Sequence, residues 1–216
     1  MRPLLLAAAL SLAALPLRAC ETALVLTVDV SNSVDTAEFR LQADGIADAL
    51  RDPEIVSTLI QTGTAIAVVQ WSGAEDQALS IPWTRIETAL DTERLSTEAR
   101  RMERAFTLSD TAPAEAIRFS LALFDAVPDC RRRVIDVSGD GTPNGGGDVR
   151  LARRAAEAAG VTINAIAIES MGFAITTFFR NAVITRNGFV ITARTHNDYP
   201  AAIRAKILRE ISKVVG

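Results

Sequence analysis

The sequence of 216 residues contains only one histidine and two cysteines, and aromatic residues make up 5% of it. This shortage argues against a zinc enzyme, because the chain has no set of histidine and cysteine ligands. No basic block stands out and the formal net charge is −3, so we do not expect nucleic-acid binding. The glycine-rich stretch 141–147 lacks the lysine and the spacing of a phosphate-binding P-loop. The high aliphatic and alanine content is instead typical of a parallel sheet covered by helices.

Residues 1–19 have the pattern of a bacterial signal peptide. Arg2 supplies a positive charge, residues 4–15 are apolar, and a cleavage site follows near Ala19. The apolar run is too short to span a membrane as a helix. We therefore expect a mature domain of residues 20–216 that is periplasmic or secreted and has no transmembrane segment.

The rest of the chain alternates short apolar runs with helical patterns, which favours an α/β fold. We expect a doubly wound, mostly parallel six-stranded sheet with helices on both faces and one antiparallel edge strand. The edge strand is the third, at 78–81, and the Pro82 that follows suits either an edge strand or a strand end. The expected strands are 23–28, 66–71, 78–81, 134–138, 161–168 and 189–192, and the expected helices are 35–50, 85–104, 111–128, 148–159 and 200–214.

The motif Asp29-Val30-Ser31-Asn32-Ser33 directly follows the first apolar run. An acidic residue followed by alternating hydroxyls suits a loop that wraps a hard cation, since such cations take oxygen ligands. The alternative is an ordinary turn of Asp and Ser residues that caps the next helix. In either case we expect Asp29 at the rim of the sheet and not in its core.

Two later segments extend this motif. Thr111 opens a helical pattern, and Asp140 follows the strand 134–138 within Gly-Asp-Gly. The ordered set of an Asp-x-Ser-x-Ser loop, a later Thr and a still later Asp-Gly resembles the metal-ion-dependent adhesion site of von Willebrand factor A domains. One departure is that Ser109-Asp110 precedes the Thr, where the family often has Gly-Gly.

Three other segments make the chain similar, more narrowly, to an exported bacterial branch of that family with unknown function. They are the opening Cys20-Glu-Thr-Ala-Leu, the segment Ile-Asp-Val-Ser-Gly-Asp-Gly at 135–141, and residues 198–213. The resemblance covers the whole of residues 20–216.

The resemblance implies a strand order of 3-2-1-4-5-6 and a site for Mg²⁺, or for Mn²⁺ or Ca²⁺. It implies that Ser31 and Ser33 contact the metal directly, and that Thr111 does so directly or through water. It further implies that Asp29 and Asp140 act largely through water. An open coordination position would then accept an Asp or Glu of a partner protein.

Three functions are compatible with this site. We expect a binding module, with a structural domain whose metal site is idle as the alternative, and a metal-dependent hydrolase as the least favoured. A phosphatase of the haloacid dehalogenase type needs an Asp where Ser31 stands. A serine hydrolase needs a histidine near its nucleophile, but His196 is expected at the surface or at a helix start near the C-terminus. We therefore expect no enzyme activity.

The two cysteines have matched positions. Cys20 lies nine residues before Asp29, and Cys130 lies ten before Asp140. If the two aspartates meet at one end of adjacent parallel strands, the cysteines meet at the other, and an exported protein can form the disulfide. The alternatives are two unpaired thiols, or a lipid anchor on Cys20, because residues 17–20 also resemble a lipoprotein cleavage box.

Overall fold

Six strands form one sheet at the centre of the computed structural model, which describes residues 20–169 and 173–212. Their order is β3-β2-β1-β4-β5-β6, as the resemblance implies, and only the β2–β3 pair is antiparallel. The expected signal peptide at 1–19 lies outside the described residues. The strands are β1 (Thr22–Asp29), β2 (Ala65–Trp71), β3 (Gln77–Arg85), β4 (Arg132–Gly139), β5 (Val161–Ile168) and β6 (Val190–Ala193).

Helices cover both faces of the sheet, so the predicted fold class is confirmed. A single π-helical turn at Phe179–Val183 follows α6, and a short 3₁₀ turn at His196–Asp198 leads into α7. The helices are α1 (Thr36–Ala49), α2 (Pro53–Thr62), α3 (Ala89–Arg101), α4 (Pro113–Leu123), α5 (Val149–Ala158), α6 (Ala174–Phe178) and α7 (Tyr199–Ser212).

The four central strands β1, β2, β4 and β5 are mainly apolar because both of their faces are buried, whereas the edge strands β3 and β6 are partly exposed. Alternate residues of β1 point to opposite faces, so Leu24 and Leu26 join one core cluster while Ala23 and Val25 join the other. The first cluster lies under α1, α2, α3 and α7, and the second lies under α4, α5 and the π turn. The central strands are thereby held rigidly, and so are the loops that leave them.

Several predicted boundaries were wrong. Helix α2 was not predicted, although Asp52 accepts hydrogen bonds from its first turn and Gly63 ends it in the left-handed conformation. Strand β3 runs past Pro82 instead of ending before it. An edge strand tolerates proline, which has no N–H, because its outer side makes no hydrogen bonds to another strand.

The predicted helical segment 85–104 forms only the helix α3. Helix α6 and the π turn were also not predicted, and the end of the last predicted helix, at 213–214, lies outside the described residues.

The disulfide between Cys20 and Cys130 is present in the structure. It joins the residues just before β1 and β4, where the Arg131 amide also donates to the Cys20 carbonyl oxygen at 3.1 Å. This end of the strand pair lies opposite the end that carries Asp29. Among the described residues, no helix combines the length and the apolarity needed to cross a bilayer.

Candidate metal centre

The carboxyl ends of β1 and β4 bring Asp29 and Asp140 together. Val28 pairs with Ser138, so Asp29 lies level with Gly139, directly before Asp140. A Cβ added at Gly139 would lie 2.9 Å from Asp29 Oδ2. Strand order reverses between β1 and β4, and this is the position where open α/β sheets bind their ligands.

A chain of hydrogen bonds links the two aspartates through the serines. The Ser31 amide donates to Asp29 Oδ1 at 2.8 Å, and the hydroxyls of Ser31 and Ser33 lie 3.1 Å apart. The Ser33 hydroxyl then donates to Asp140 Oδ1 at 2.6 Å. The motif therefore does not simply cap α1, because Asp35 caps that helix.

Thr111 lies on a third loop that meets the other two. Its amide donates to Asn144 Oδ1 at 2.7 Å, which fastens it to the glycine-rich loop after β4. Its Oγ1 would lie 3.6 Å from a Cβ at Gly141, the residue after Asp140. The Asn32 amide donates to the carbonyl oxygen of Ser109 at 3.0 Å. The structure thus places all five predicted residues at one end of the sheet.

The loop that carries Thr111 is fixed by side chains that the sequence analysis did not single out. Arg104 donates to the carbonyl oxygens of Val30 and Ser31, both at 2.9 Å. The Ser109 hydroxyl donates to Asp76, which lies between β2 and β3. These contacts join segments more than 30 positions apart, so no local pattern could reveal them.

Within this fixed loop, Leu108 has a left-handed backbone (φ 57°) and a side chain that is 88% exposed. Such a conformation is unfavourable for a leucine and persists only where surrounding contacts enforce it.

Asp29 lies at the end of β1, as expected, but it is fully buried, so the expectation that it stays outside the core was wrong. Burial, together with the charge of Asp140, raises the pKa of its carboxyl to about 7, although hydrogen bonds from Ser31 oppose the shift. Among the described atoms, Asp29 Oδ2 has no hydrogen-bond partner. A buried carboxylate oxygen without a partner is costly, and a nearby cation would remove that cost.

The donor set fits a hard divalent cation. The three hydroxyls and two carboxylates supply only oxygen, which Mg²⁺, Mn²⁺ and Ca²⁺ prefer. Within residues 20–169 and 173–212, no group of three or more His, Cys, Asp or Glu side chains could hold a metal. A metal site at this position would draw on the hydroxyls of Ser31, Ser33 and Thr111 as well as on the two carboxylates.

His196 lies beside this cluster, at the start of the 3₁₀ turn before α7. Its side chain is only 11% exposed, so it is not the surface residue that the sequence suggested, although it does lie at a helix start. Its Nδ1 lies 3.0 Å from Glu38 Oε1, and its Nε2 lies 3.8 Å from Asp140 Oδ2. Only the packing of α7 against α1 brings these groups together.

Comparisons with known proteins identify a family for this chain. The sequence profile of a family described as "Protein of unknown function (DUF1194)" matches residues 19–215. No curated protein sequence matches the chain.

Solved structures of von Willebrand factor A domains match the fold. Proximal thread matrix protein 1 from the mussel byssus, with a zinc-occupied adhesion-site motif, has a TM-score of 0.67 at 17% identity over 91% of this chain. The chain spans 48% of the mussel protein. A von Willebrand factor type A protein from Catenulispora acidiphila has a TM-score of 0.63 at 17% identity, over 91% of this chain and 43% of that one.

The von Willebrand factor domain of the pilus tip protein Mfa5 from Porphyromonas gingivalis has a TM-score of 0.62 at 12% identity, over 92% of this chain and 97% of that one. At these identities the likeness establishes the von Willebrand factor A fold.

Proposed function

The chain belongs to the DUF1194 family of proteins of unknown function and has a von Willebrand factor A fold, and we propose that it is an exported, metal-dependent protein-binding module. The metal would be Mg²⁺, or Mn²⁺ or Ca²⁺, and the partner would be a protein that presents an Asp or Glu side chain. The proposal includes a periplasmic or secreted location after removal of residues 1–19, and a binding domain of residues 20–216.

One observation carries this proposal. The hydrogen-bonded chain from Asp29 through Ser31 and Ser33 to Asp140 converges with Thr111 at the point where strand order reverses. Asp29 Oδ2, a buried carboxylate oxygen at this site, has no hydrogen-bond partner among the described atoms. The zinc-occupied site of the mussel relative and the pilus-tip relative agree with metal-dependent adhesion.

The residues would divide the work as follows. Ser31, Ser33 and Thr111 would hold the cation through neutral hydroxyls, while Asp29 and Asp140 would orient the serines and act on the cation largely through water. A cation held mainly by hydroxyls keeps a strong attraction for an incoming carboxylate, and that is the chemistry it would supply. The rigid strands β1 and β4 would keep the hydroxyls in place.

Binding is favoured over catalysis because the arrangement offers no activated nucleophile. His196 is directed toward Glu38 and Asp140, and its Nε2 has no hydrogen-bond partner among the described residues. The serines of the cluster bond to one another and to Asp140. A lipid anchor on Cys20 is not part of the proposal, because the structure places that cysteine in a disulfide.

Asp29→Asn tests the metal site, with Asp129→Asn as the matched control. Asp129 is an exposed aspartate paired with Arg85 near the disulfide end of the sheet. Because a metal that binds only the native state raises the melting temperature, Mg²⁺ should stabilise the wild type and the Asp129 variant but not the Asp29 variant. An equal response in all three proteins would refute the role of Asp29.

The binding function is tested by affinity capture from the envelope of the source cell in Mg²⁺ and in EDTA. Proteins retained only in Mg²⁺ by the wild type, and not by the Asp29→Asn variant, would support the proposal. A partner retained equally in EDTA would favour a structural domain with an idle site. Metal-dependent turnover of phosphoesters would favour a hydrolase.

A further inference from the structure

We propose that His196 is a positioning residue for the metal centre and holds the Asp140 carboxylate in the orientation that the cation requires. This inference rests on the proposed function and deepens it. It assigns a role to the only histidine of the chain, which matches no part of the Asp-x-Ser-x-Ser, Thr and Asp-Gly motif.

The two oxygens of Asp140 face different groups. Oδ1 accepts the hydrogen bond from the Ser33 hydroxyl at 2.6 Å, whereas Oδ2 lies 3.8 Å from His196 Nε2. The Asp140 side chain is 11% exposed, so little solvent is available to compete for it. The imidazole therefore limits the rotation of the carboxylate on the side opposite Ser33.

His196 is itself held from two directions. Its Nδ1 lies 3.0 Å from Glu38 Oε1, while Glu38 Oε2 accepts the hydrogen bond from the Asp35 amide that begins α1. Its backbone lies directly after Thr195, whose amide donates to Asp198 at 3.2 Å. The ring is thus fixed between the start of α1 and the start of α7.

The Nε2 atom is buried and has no hydrogen-bond partner among the described atoms. Its separation from Asp140 Oδ2 is longer than a hydrogen bond. When both ring nitrogens carry a proton, Nδ1 donates to Glu38, and a small shift of the Asp140 carboxylate toward the ring would let Nε2 donate to it. Groups behind a metal ligand that fix its orientation typically change metal affinity 10- to 100-fold when they are replaced. We therefore expect His196 to control metal affinity without contacting the metal.

The test uses untagged protein and Mg²⁺ alone, titrated by calorimetry at one fixed pH. His196→Phe keeps a ring of similar size but removes both nitrogens, and should weaken Mg²⁺ binding 10- to 100-fold. His196→Gln keeps an N–H donor near the Nε2 position and should recover most of that affinity. In an Asp140→Asn background, His196→Phe should cause little further loss, because the group that His196 positions has already changed.

Two further measurements separate a positioning role from a structural one. Since the chain has a single histidine, its Cε1 proton gives one resolved NMR signal, which should shift when Mg²⁺ binds the wild type and stay unmoved in Asp140→Asn. Thermal melting in EDTA measures the structural effect of each variant alone. Unchanged Mg²⁺ affinity in His196→Phe overturns the inference, whatever its melting temperature. A wild type that binds no Mg²⁺ instead refutes the metal site itself.

Discussion

At the scale of single residues, Gly139 shows how little space the candidate centre leaves. A Cβ at this position would lie 2.9 Å from Asp29 Oδ2 and 3.3 Å from the rings of Phe179 and Trp71. The π-helical turn brings Phe179 beneath the site, and such turns are frequent near functional sites. Gly141, two residues on, would place a Cβ at an ordinary 3.5 Å from Thr111.

Gly139→Ala should therefore destabilise the protein by about 1–3 kcal/mol, the usual cost of adding a methyl group to a closely packed interior. It should also remove the Mg²⁺-dependent rise in melting temperature, because Asp29 must move. Gly141→Ala should leave stability and the Mg²⁺ response close to those of the wild type. Urea unfolding and thermal melting with and without Mg²⁺ check both variants, and equal behaviour of the two would contradict this account.

A second group of residues buries charge between α7 and β4. Lys206 Nζ on α7 lies 2.6 Å from Asp136 Oδ1 on β4 and 2.6 Å from Glu210 Oε1. All three side chains are at most 1% exposed, so one cation faces two carboxylates inside the protein. Burial raises the pKa of the Asp136 carboxyl to about 7, although Lys206 opposes that shift.

Because the pKa of Asp136 is higher in the folded protein, the folded state keeps a proton that the unfolded chain loses above about pH 4. The free energy of unfolding should thus decline as pH rises toward 7, by at most ~1.4 kcal/mol per unit from this group. Asp136→Asn should lessen that decline. Urea unfolding in EDTA at pH 5 and pH 8 measures it, and the same decline in both proteins would contradict the assignment.

At the scale of elements, Asp52 joins two helices. Its Oδ1 accepts hydrogen bonds from the Glu54 and Ile55 amides at the start of α2, at 3.0 and 3.2 Å. Its Oδ2 accepts from Arg204 Nε on α7 at 2.7 Å. The cap is the larger contribution, since partly exposed ion pairs contribute little.

Asp52→Ala should lower the free energy of unfolding by about 1 kcal/mol, the typical contribution of a helix cap. Asp52→Ser should restore most of that loss because it keeps the cap without the ion pair, and Arg204→Ala should cost less than Asp52→Ala. Chemical denaturation of the three variants gives the ranking. A larger loss in Arg204→Ala would show that the ion pair matters more than the cap.

At the scale of the whole molecule, the disulfide and the candidate metal centre occupy opposite ends of the central strand pair. The Cys20–Cys130 bridge spans a sequence separation of 110 residues, so it removes much conformational freedom from the unfolded chain. It also fixes the start of β1 beside the start of β4. The register that aligns Asp29 with Gly139 continues from there along both strands.

Replacing both cysteines by serine should lower the free energy of unfolding by about 2–4 kcal/mol. While it is folded, the variant should still bind Mg²⁺, because the strand pairing itself is unchanged. Urea unfolding of the oxidised wild type and the double variant provides the measurement. A loss of Mg²⁺ binding in a folded variant would show that the bridge, and not the sheet, sets the geometry of the site.

The sequence by itself determined the α/β sheet, because apolar runs that alternate with helical patterns are local signals. The strand order and the meeting of the Asp29, Thr111 and Asp140 loops were predicted through the family resemblance that the short motifs carry. Asp52, Pro53 and Gly63 are local signals for α2.

Only the tertiary structure decided the rest. It buried Asp29, set His196 between Glu38 and Asp140, and placed Lys206 opposite Asp136. Ile203, Ile207 and Ile211 of α7 recur at helical spacing and are buried, but this spacing could not predict that Lys206 and Glu210 would be buried with them. The physical reason is that each of these environments depends on a partner distant in sequence, and such partners meet only when helices pack on the sheet.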